Sequence, residues 1–357
     1  MTSCTPGVVV VSHVFPKQQP RPSKSPGRVV NECKSETGFS MSHFVMSGLC
    51  RISARGLFAG ASSCLSVKGL RVFCSGVSRL DRLGSDSAHV LSPVNLTYDV
   101  FDGTCDGTPL VFLHGLFGSK SNFYSIAKSL VQRTGRKVLT VDARNHGKSP
   151  HSPVLNYETM TYDLTHLLAQ LHIGKCVLIG HSMGGKVAMT TALSQPSLVE
   201  RLVVVDISPA QTTAHTNFNA YIQAMKEVKI ASDIPRSTAH RLAEDQLRKL
   251  VKDRSVRQFL LTNLEAQNGE YGWRINLDAI SNHLEDLMGF PEFNNTFEGP
   301  TLFLGGSSSA YISSDSYPEI ERLFPCADIQ YIPDASHWIH ADKPLDFISS
   351  IITFLQS

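Results

Sequence analysis

Short apolar runs alternate with longer amphipathic ones along most of this chain. Thr108–Leu113, Lys137–Val141, Lys175–Ile179, Leu202–Val205 and Pro300–Leu304 are blocks of four to six residues dominated by Val, Leu, Ile and Phe, and the more mixed Ala327–Ile332 also reads as a strand. Blocks of that length without alternation read as strands buried on both faces. Between them, Tyr124–Gln132, Tyr157–Leu171 and Pro344–Leu355 carry helical patterns. In the second, Met160, Leu164, Leu167, Leu168 and Leu171 recur at spacings of three and four, one apolar stripe along a helix. Strand, helix, strand, helix predicts an α/β fold, a mostly parallel central sheet with helices on both faces. The alternation breaks from about Ser208 to Gly299. There the helical patterns Phe218–Val228, Thr238–Lys252, Val256–Leu264 and Leu277–Met288 follow one another with no strand between them. We expect a helical lid over about 208–299, inserted between the sixth and seventh strands. It carries Phe218, Tyr221, Met225, Phe259, Leu260, Trp273 and Leu277, most of which must pack the lid onto the core while a few line an acyl pocket.

In parallel sheets of this kind, sites lie at the carboxyl ends of the strands. After the strand at Lys175–Ile179 the chain reads Gly180-His181-Ser182-Met183-Gly184-Gly185, and a helix-like run starts at Lys186. A serine on a sharp strand-to-helix turn, flanked by glycines, has the form of a nucleophile elbow. The turn lifts the Ser182 hydroxyl out of the sheet and directs the Met183 N–H to the same space. After the strand at Thr108–Leu113 comes His114-Gly115-Leu116-Phe117-Gly118. A His-Gly turn there exposes the Leu116 N–H, which with Met183 makes a two-donor oxyanion hole. His337, in Pro333-Asp-Ala-Ser-His-Trp338, lies between the last strand and the last helix, where a general base can reach a serine presented by an earlier strand. The chain order, serine before histidine, suits the same arrangement.

Three segments in order carry a resemblance. His114-Gly-Leu-Phe-Gly-Ser119, Val141-Asp-Ala-Arg-Asn-His-Gly-Lys-Ser149 and Ser336-His-Trp-Ile-His-Ala-Asp-Lys-Pro344 resemble the alpha/beta-hydrolases over roughly residues 92–357. More narrowly they resemble the subfamily of alpha/beta-hydrolase domain-containing protein 11 and its bacterial esterase relatives. One departure is visible: Ser336 stands where that subfamily often has glycine. The resemblance implies a serine esterase or lipase that needs no cofactor and acts on acylglycerols such as diacylglycerol. It also implies a role beside mitochondrial 2-oxoglutarate dehydrogenase. A thioesterase or a carbon–carbon bond hydrolase would use the same residues. From another class, a non-catalytic partner-binding member would keep the shell but has no need of both Ser182 and His337.

The acid has two candidates. The common position in this fold follows the strand Pro300–Leu304, but the chain there reads Gly305-Gly-Ser-Ser-Ser-Ala310, with no carboxylate before Asp315. Asp206 ends the strand Leu202–Val205. Asp278 lies where the insertion returns to the core, a place also taken for the acid in the resembled subfamily. Strand ends are held rigidly and inserted helices are not, which favours Asp206. Asp142, after the strand Lys137–Val141, reads as a loop-ordering residue together with Arg144.

Composition changes the picture mainly at the front of the chain. The net charge of the 357 residues is only +2, yet residues 1–80 hold ten Lys or Arg against Glu32 and Glu36 alone. The remainder holds 23 basic and 29 acidic side chains, which offers no basic surface for nucleic acid. Met41–Leu80 has no acidic residue and spaces arginines among Ser, Ala, Gly, Leu and Phe. That composition describes a mitochondrial transit peptide. We expect a leader over 1–85, a body over 92–357 and a mitochondrial, matrix address, with Met41 and Met46 as alternative starts. No run of 18 apolar residues exists, so no membrane span is expected. Five of the eight cysteines sit in the leader and none forms a C-x-x-C pair, so no metal or redox spacing is present. Among the 14 histidines, His340 would be a ligand only if others converged on it, and the sequence suggests none.

Overall fold

The computed structural model describes residues 92–212 and 217–357. The expected leader and its transit peptide lie outside the described residues. The chain builds β1 (Tyr98–Phe101), β2 (Leu110–Leu113), α1 (Tyr124–Thr134), β3 (Val138–Val141), α2 (Tyr157–Gln170), β4 (Cys176–His181), α3 (Met183–Ser194) and β5 (Val199–Val205). An inserted segment follows, with α4 (Phe218–Glu227), α5 (Arg236–Leu247), α6 (Arg254–Leu261), β6 (Leu264–Gln267), β7 (Glu270–Trp273), α7 (Leu277–Asn282) and α8 (Leu284–Met288). The core resumes with β8 (Thr301–Gly306), α9 (Tyr317–Leu323), β9 (Ala327–Ile332), α10 (Ile339–Asp342) and α11 (Pro344–Gln356).

Seven strands make one sheet in the order β1-β3-β2-β4-β5-β8-β9. Only β1 runs antiparallel to its neighbour. The central strands are apolar throughout because both faces are covered. Side chains alternate between two layers. Leu110, Phe112, Val177, Ile179, Val203 and Val205 meet Ile126 and Leu130 of α1 and Phe347 and Ile351 of α11. Val111, Leu178, Leu202, Val204 and Phe303 meet Met160 and Leu164 of α2, Ala188 and Ala192 of α3, and Ile320 of α9. Burying one such side chain fully stabilises the fold by about 1.5–3 kcal/mol, so each layer holds its helices firmly.

The insertion departs from expectation in two ways. It lies between the fifth and sixth strands of the sheet in chain order, β5 and β8, not between the sixth and seventh. Among the described residues only β1 precedes β2, one strand fewer than that count assumed. Nor is the insertion purely helical: β6 and β7 pair antiparallel around Asn268-Gly269. Both residues have positive φ, 52° and 85°, the conformation that an Asn-Gly hairpin turn supplies.

Asp142 orders its loop by accepting the Lys120 and Lys148 N–H groups at 2.7 and 3.0 Å. Its expected partner Arg144 faces elsewhere. The guanidinium forks onto the Asp163 carboxylate at 2.6 and 2.7 Å, with both side chains 1% exposed. No helix among the described residues is long and apolar enough to cross a membrane.

Candidate active site

Ser182 caps the N-terminus of α3 with φ 54° and ψ −119°, a region that side chains normally avoid. The doubling back brings Gly180 against the Gly184 backbone, and Gly184 against the carbonyls of Leu113 and His114. A Cβ at either glycine would collide with main chain, so the pattern around Ser182 is a packing requirement. The Ser182 N–H donates to the Val205 carbonyl at 3.0 Å, which ties the turn to β5.

His337 follows β9 and turns back over this elbow. Its Nε2 lies 3.0 Å from Ser182 Oγ, and its Nδ1 lies 2.7 Å from Asp206 Oδ2. A carboxylate only accepts, so Nδ1 carries the proton and Nε2 is left to accept from the serine hydroxyl. Asp206, 1% exposed, ends β5 with φ 50°. Its other oxygen accepts the Gly306 N–H at 2.9 Å, and Ser309 Oγ donates to Oδ2 at 2.5 Å. Asp278 stands apart. It is 85% exposed at the start of α7 and pairs with Lys226 at 2.7 Å. The strand-end carboxylate therefore meets the imidazole and the insertion's carboxylate does not. Ser309, from the serine run after β8, reaches the same carboxylate from the loop where the acid more commonly lies.

Met183 is the first residue of α3, so its N–H belongs to the helical turn that lacks partners within the helix. The helix dipole makes that end hospitable to negative charge. Leu116 follows β2 across the sheet. Both residues are buried and line a small cavity that also touches Ser182. A hydroxyl, an imidazole oriented by a buried carboxylate and two nearby backbone donors can together perform acyl transfer.

The sequence matches a family model described as the alpha/beta hydrolase fold over residues 108–344. This chain belongs to the alpha/beta-hydrolase family. It is 85% identical to the sn-1-specific diacylglycerol lipase ABHD11 of Danio rerio over 316 residues, 88% of this chain and 100% of that protein. It is 60% identical to the sn-1-specific diacylglycerol lipase ABHD11 of Xenopus tropicalis over 271 residues, 76% of this chain and 85% of that protein. Among solved structures, a marine microorganism esterase superposes with a TM-score of 0.68 at 34% identity, covering 73% of this chain and 99% of its own.

In this alpha/beta-hydrolase, residues of the insertion line a cavity beside the elbow. A cavity of about 250 Å³ opens over Ser182 and His337, walled by Phe218, Tyr221, Phe259, Leu260 and Trp338. Of the seven apolar insertion residues singled out from sequence, four line this space. Met225 and Leu277 are buried in the core, and the Trp273 indole donates to the Met225 carbonyl at 2.7 Å.

Three contributors were not visible in the sequence pattern. Tyr311 stacks on the His337 ring, with centroids 3.9 Å apart and planes 19° from parallel. His181, inside the elbow motif itself, donates its Nε2–H to the His337 carbonyl at 2.8 Å and so holds the histidine loop. Lys186, 1% exposed, donates to Thr212 Oγ1 and to the carbonyls of Met288 and Gly289 at 2.7–2.9 Å. Burial pushes its ammonium down to about 7. Its position, four residues after the serine, was the only signal: a lysine inside an otherwise apolar helix.

Four buried histidines surround the site. Burial lowers His114 to about 4, His146 to about 3 and His340 to about 4, and lowers His181 well below its ordinary value. His114 Nε2 accepts the Ala143 N–H and His146 Nε2 accepts the Phe117 N–H, so both rings serve as neutral acceptors. Among the described residues no group of three or more His, Cys, Asp or Glu is arranged to hold a metal.

These histidines make acid a specific threat to the fold. An unfolded histidine protonates near pH 6.5, whereas these rings stay neutral until about pH 4 or below. Between those limits the unfolded chain binds more protons, so stability falls as pH falls, by up to about 1.4 kcal/mol per group per pH unit. Urea unfolding from pH 7.5 to 4.5 should show that decline. His340 Nδ1 has no hydrogen-bond partner, so His340→Leu should reduce the slope below pH 6.5. An unchanged slope in the variant would exclude His340 from the effect.

Proposed function

We propose that this alpha/beta-hydrolase is a serine lipase that cleaves one acyl ester of diacylglycerol. The observation that carries the reading is the unbroken chain Ser182 Oγ, His337 Nε2, His337 Nδ1, Asp206 Oδ2 at 3.0 and 2.7 Å. The 85% identity to a protein named for sn-1-specific diacylglycerol hydrolysis supports the substrate. Ser182 attacks the acyl carbonyl while His337 Nε2 takes the hydroxyl proton. Asp206 orients the ring and stabilises the imidazolium. The Leu116 and Met183 N–H groups hold the oxyanion, a kind of contact worth about 10²–10³ in kcat per donor. His337 gives the proton to the departing monoacylglycerol oxygen, then takes a proton from the water that attacks the acyl-enzyme and returns it to Ser182 as the fatty acid leaves. The inserted segment is a lid in this reading, and its apolar cavity takes the acyl chain.

Ser182→Ala should abolish fluorophosphonate labelling and lower diacylglycerol hydrolysis about 10⁴-fold or more, as loss of a nucleophile does. Labelling that persists on another serine would overturn the assignment of Ser182.

Asp206 acts as the acid in this proposal. Asp206→Asn should then cost up to about 10⁴-fold in kcat, because the amide disfavours the required imidazole tautomer. Asp278→Asn should cost little, since that exposed carboxylate pairs with Lys226 and not with His337 among the described residues. Thermal melts must accompany the kinetics, because a buried aspartate can fail by unfolding. The reverse ranking would move the role to Asp278.

A mitochondrial address completes the proposal, supported by the acid-free Met41–Leu80 stretch. Residues 1–85 fused to a reporter should carry it into mitochondria, and a reporter left diffuse in the cytosol would refute that. Partnership with the 2-oxoglutarate dehydrogenase complex belongs to the same proposal and is tested by co-purification from mitochondria.

A further inference from the structure

The turn that presents the Leu116 N–H is strained. Gly118 N–H donates to the Gly115 carbonyl at 2.9 Å, closing a four-residue turn. Phe117 occupies its third position with φ 60°. That position normally goes to glycine or asparagine, and a bulky side chain there is uncommon. Such a conformation persists only when its surroundings over-determine it.

Two buried side chains grip Phe117 at both of its backbone groups. His146 Nε2 accepts its N–H at 3.3 Å. Asn263 Nδ2 donates to its carbonyl at 2.8 Å. Asn263 is completely buried, and it belongs to the insertion, between α6 and β6. Its amide orientation is defined, because Oδ1 accepts from Arg274 Nε at 3.2 Å and leaves Nδ2 as the donor. Arg274 in turn donates from Nη2 to Ser119 Oγ at 3.2 Å. The end of β7 and the residue before β6 thus hold the turn from Phe117 to Ser119.

We propose that Asn263 is a positioning residue for the oxyanion hole. It keeps Phe117 in the left-handed conformation, and so makes the placement of the Leu116 N–H depend on the insertion being seated. The inference rests on the acyl-transfer reading above and adds a condition to it. The hole is complete only while the insertion lies against the elbow, so a displaced lid switches off chemistry as well as uncovering the cavity. Asn263 touches neither the serine nor the acyl pocket in this role. It acts through Phe117.

The test uses the full-length protein and a short soluble ester, p-nitrophenyl acetate, so that acyl-cavity contacts weigh little. Asn263→Ala should lower kcat roughly 10- to 100-fold with KM changed less than about twofold, the split expected when a transition-state contact is lost. Asn263→Asp keeps an acceptor for Arg274 and replaces the donor with a second acceptor. With a carboxylate oxygen set against the Phe117 and Leu260 carbonyls, it should lose at least as much as alanine, and it serves if the alanine variant does not fold. The decisive comparison is in the Phe117→Gly background. Glycine adopts positive φ without support, so Asn263→Ala should there cost less than about threefold. Equal fold-losses in both backgrounds would mean that Asn263 acts independently of Phe117, and would overturn the proposal. So would a raised KM with kcat intact, the sign of a residue that only seats the lid. A wild-type protein that neither hydrolyses the ester nor labels with fluorophosphonate would instead remove the acyl-transfer reading, and this inference with it.

Discussion

The site hangs from one backbone turn that few residues can make. Ser182 sits at φ 54° between β4 and α3, and it is held there by contact. Gly180 lies against Gly184, and Gly184 lies against the end of β2. Because β2, β4 and β5 are adjacent in the sheet, the strain at Ser182 is shared with both neighbouring strands. The turn also fixes where everything else must come from. A serine lifted above the carboxyl ends of parallel strands can be met only by loops leaving those same ends. Leu116 leaves β2, Asp206 leaves β5 and His337 leaves β9. Positive φ recurs at Phe117, at Asp206 and, just before His337, at Asp334, so all four of these loops turn through the left-handed region that few residues accept. Two dense apolar layers beneath them hold that strain in place.

Much of this was legible in the chain because buried parallel strands leave a plain record. Five largely apolar blocks and the mixed run Ala327–Ile332 predict six strands, and all six are present within a few residues of their expected bounds. The glycine-flanked serine and the histidine after the last strand were legible for the same reason: steric demand restricts the residue types allowed there. What failed to show was whatever depends on exposure or on distant partners. β1 reads Tyr-Asp-Val-Phe and is an edge strand, half exposed, without a continuous apolar block. The β6–β7 hairpin carries Glu and Gln among its apolar positions and falls in the gap between the helical patterns Val256–Leu264 and Leu277–Met288, although Asn268-Gly269 is a recognised hairpin signal that could have revealed it. Tyr311, stacked on His337 from a loop after β8, has no local signature at all.

The acid illustrates the limit most sharply. Sequence left Asp206 and Asp278 both open, since either could follow from its place in the chain. Packing separates them. The Asp206 carboxylate is enclosed and its oxygens are engaged by His337, Ser309 and Gly306. Such a group holds an imidazole in one orientation because it has nowhere else to turn. Asp278 faces solvent with a flexible lysine for company, and an exposed ion pair of that kind contributes about 0–1 kcal/mol. The run of serines after β8, which first looked like a missing acid, has a use in the same arrangement. Ser309 donates to the carboxylate from the loop that would otherwise carry one, so two strand ends share the work of fixing His337.

Lys186 shows how the insertion is joined to this framework. One buried ammonium on the helix that starts at Ser182 reaches Thr212, just before the insertion's helices begin, and Met288 and Gly289, where they end. The Tyr157 hydroxyl takes the preceding carbonyl, that of Leu287, at 2.6 Å. A buried cation without a carboxylate partner is costly unless its donors are all satisfied. Here three oxygens, two of them carbonyls at the C-terminal end of α8, recover part of that cost, while burial still pushes the ammonium down to about 7. Entry and exit of the insertion are therefore pinned to the nucleophile's own helix. The middle of the insertion meets the opposite side of the site through Asn263 and Arg274. Helices α4 and α6 supply Phe218, Tyr221, Phe259 and Leu260 to the wall of the cavity over Ser182, so the residues that line it are distinct from those that latch the insertion to the core.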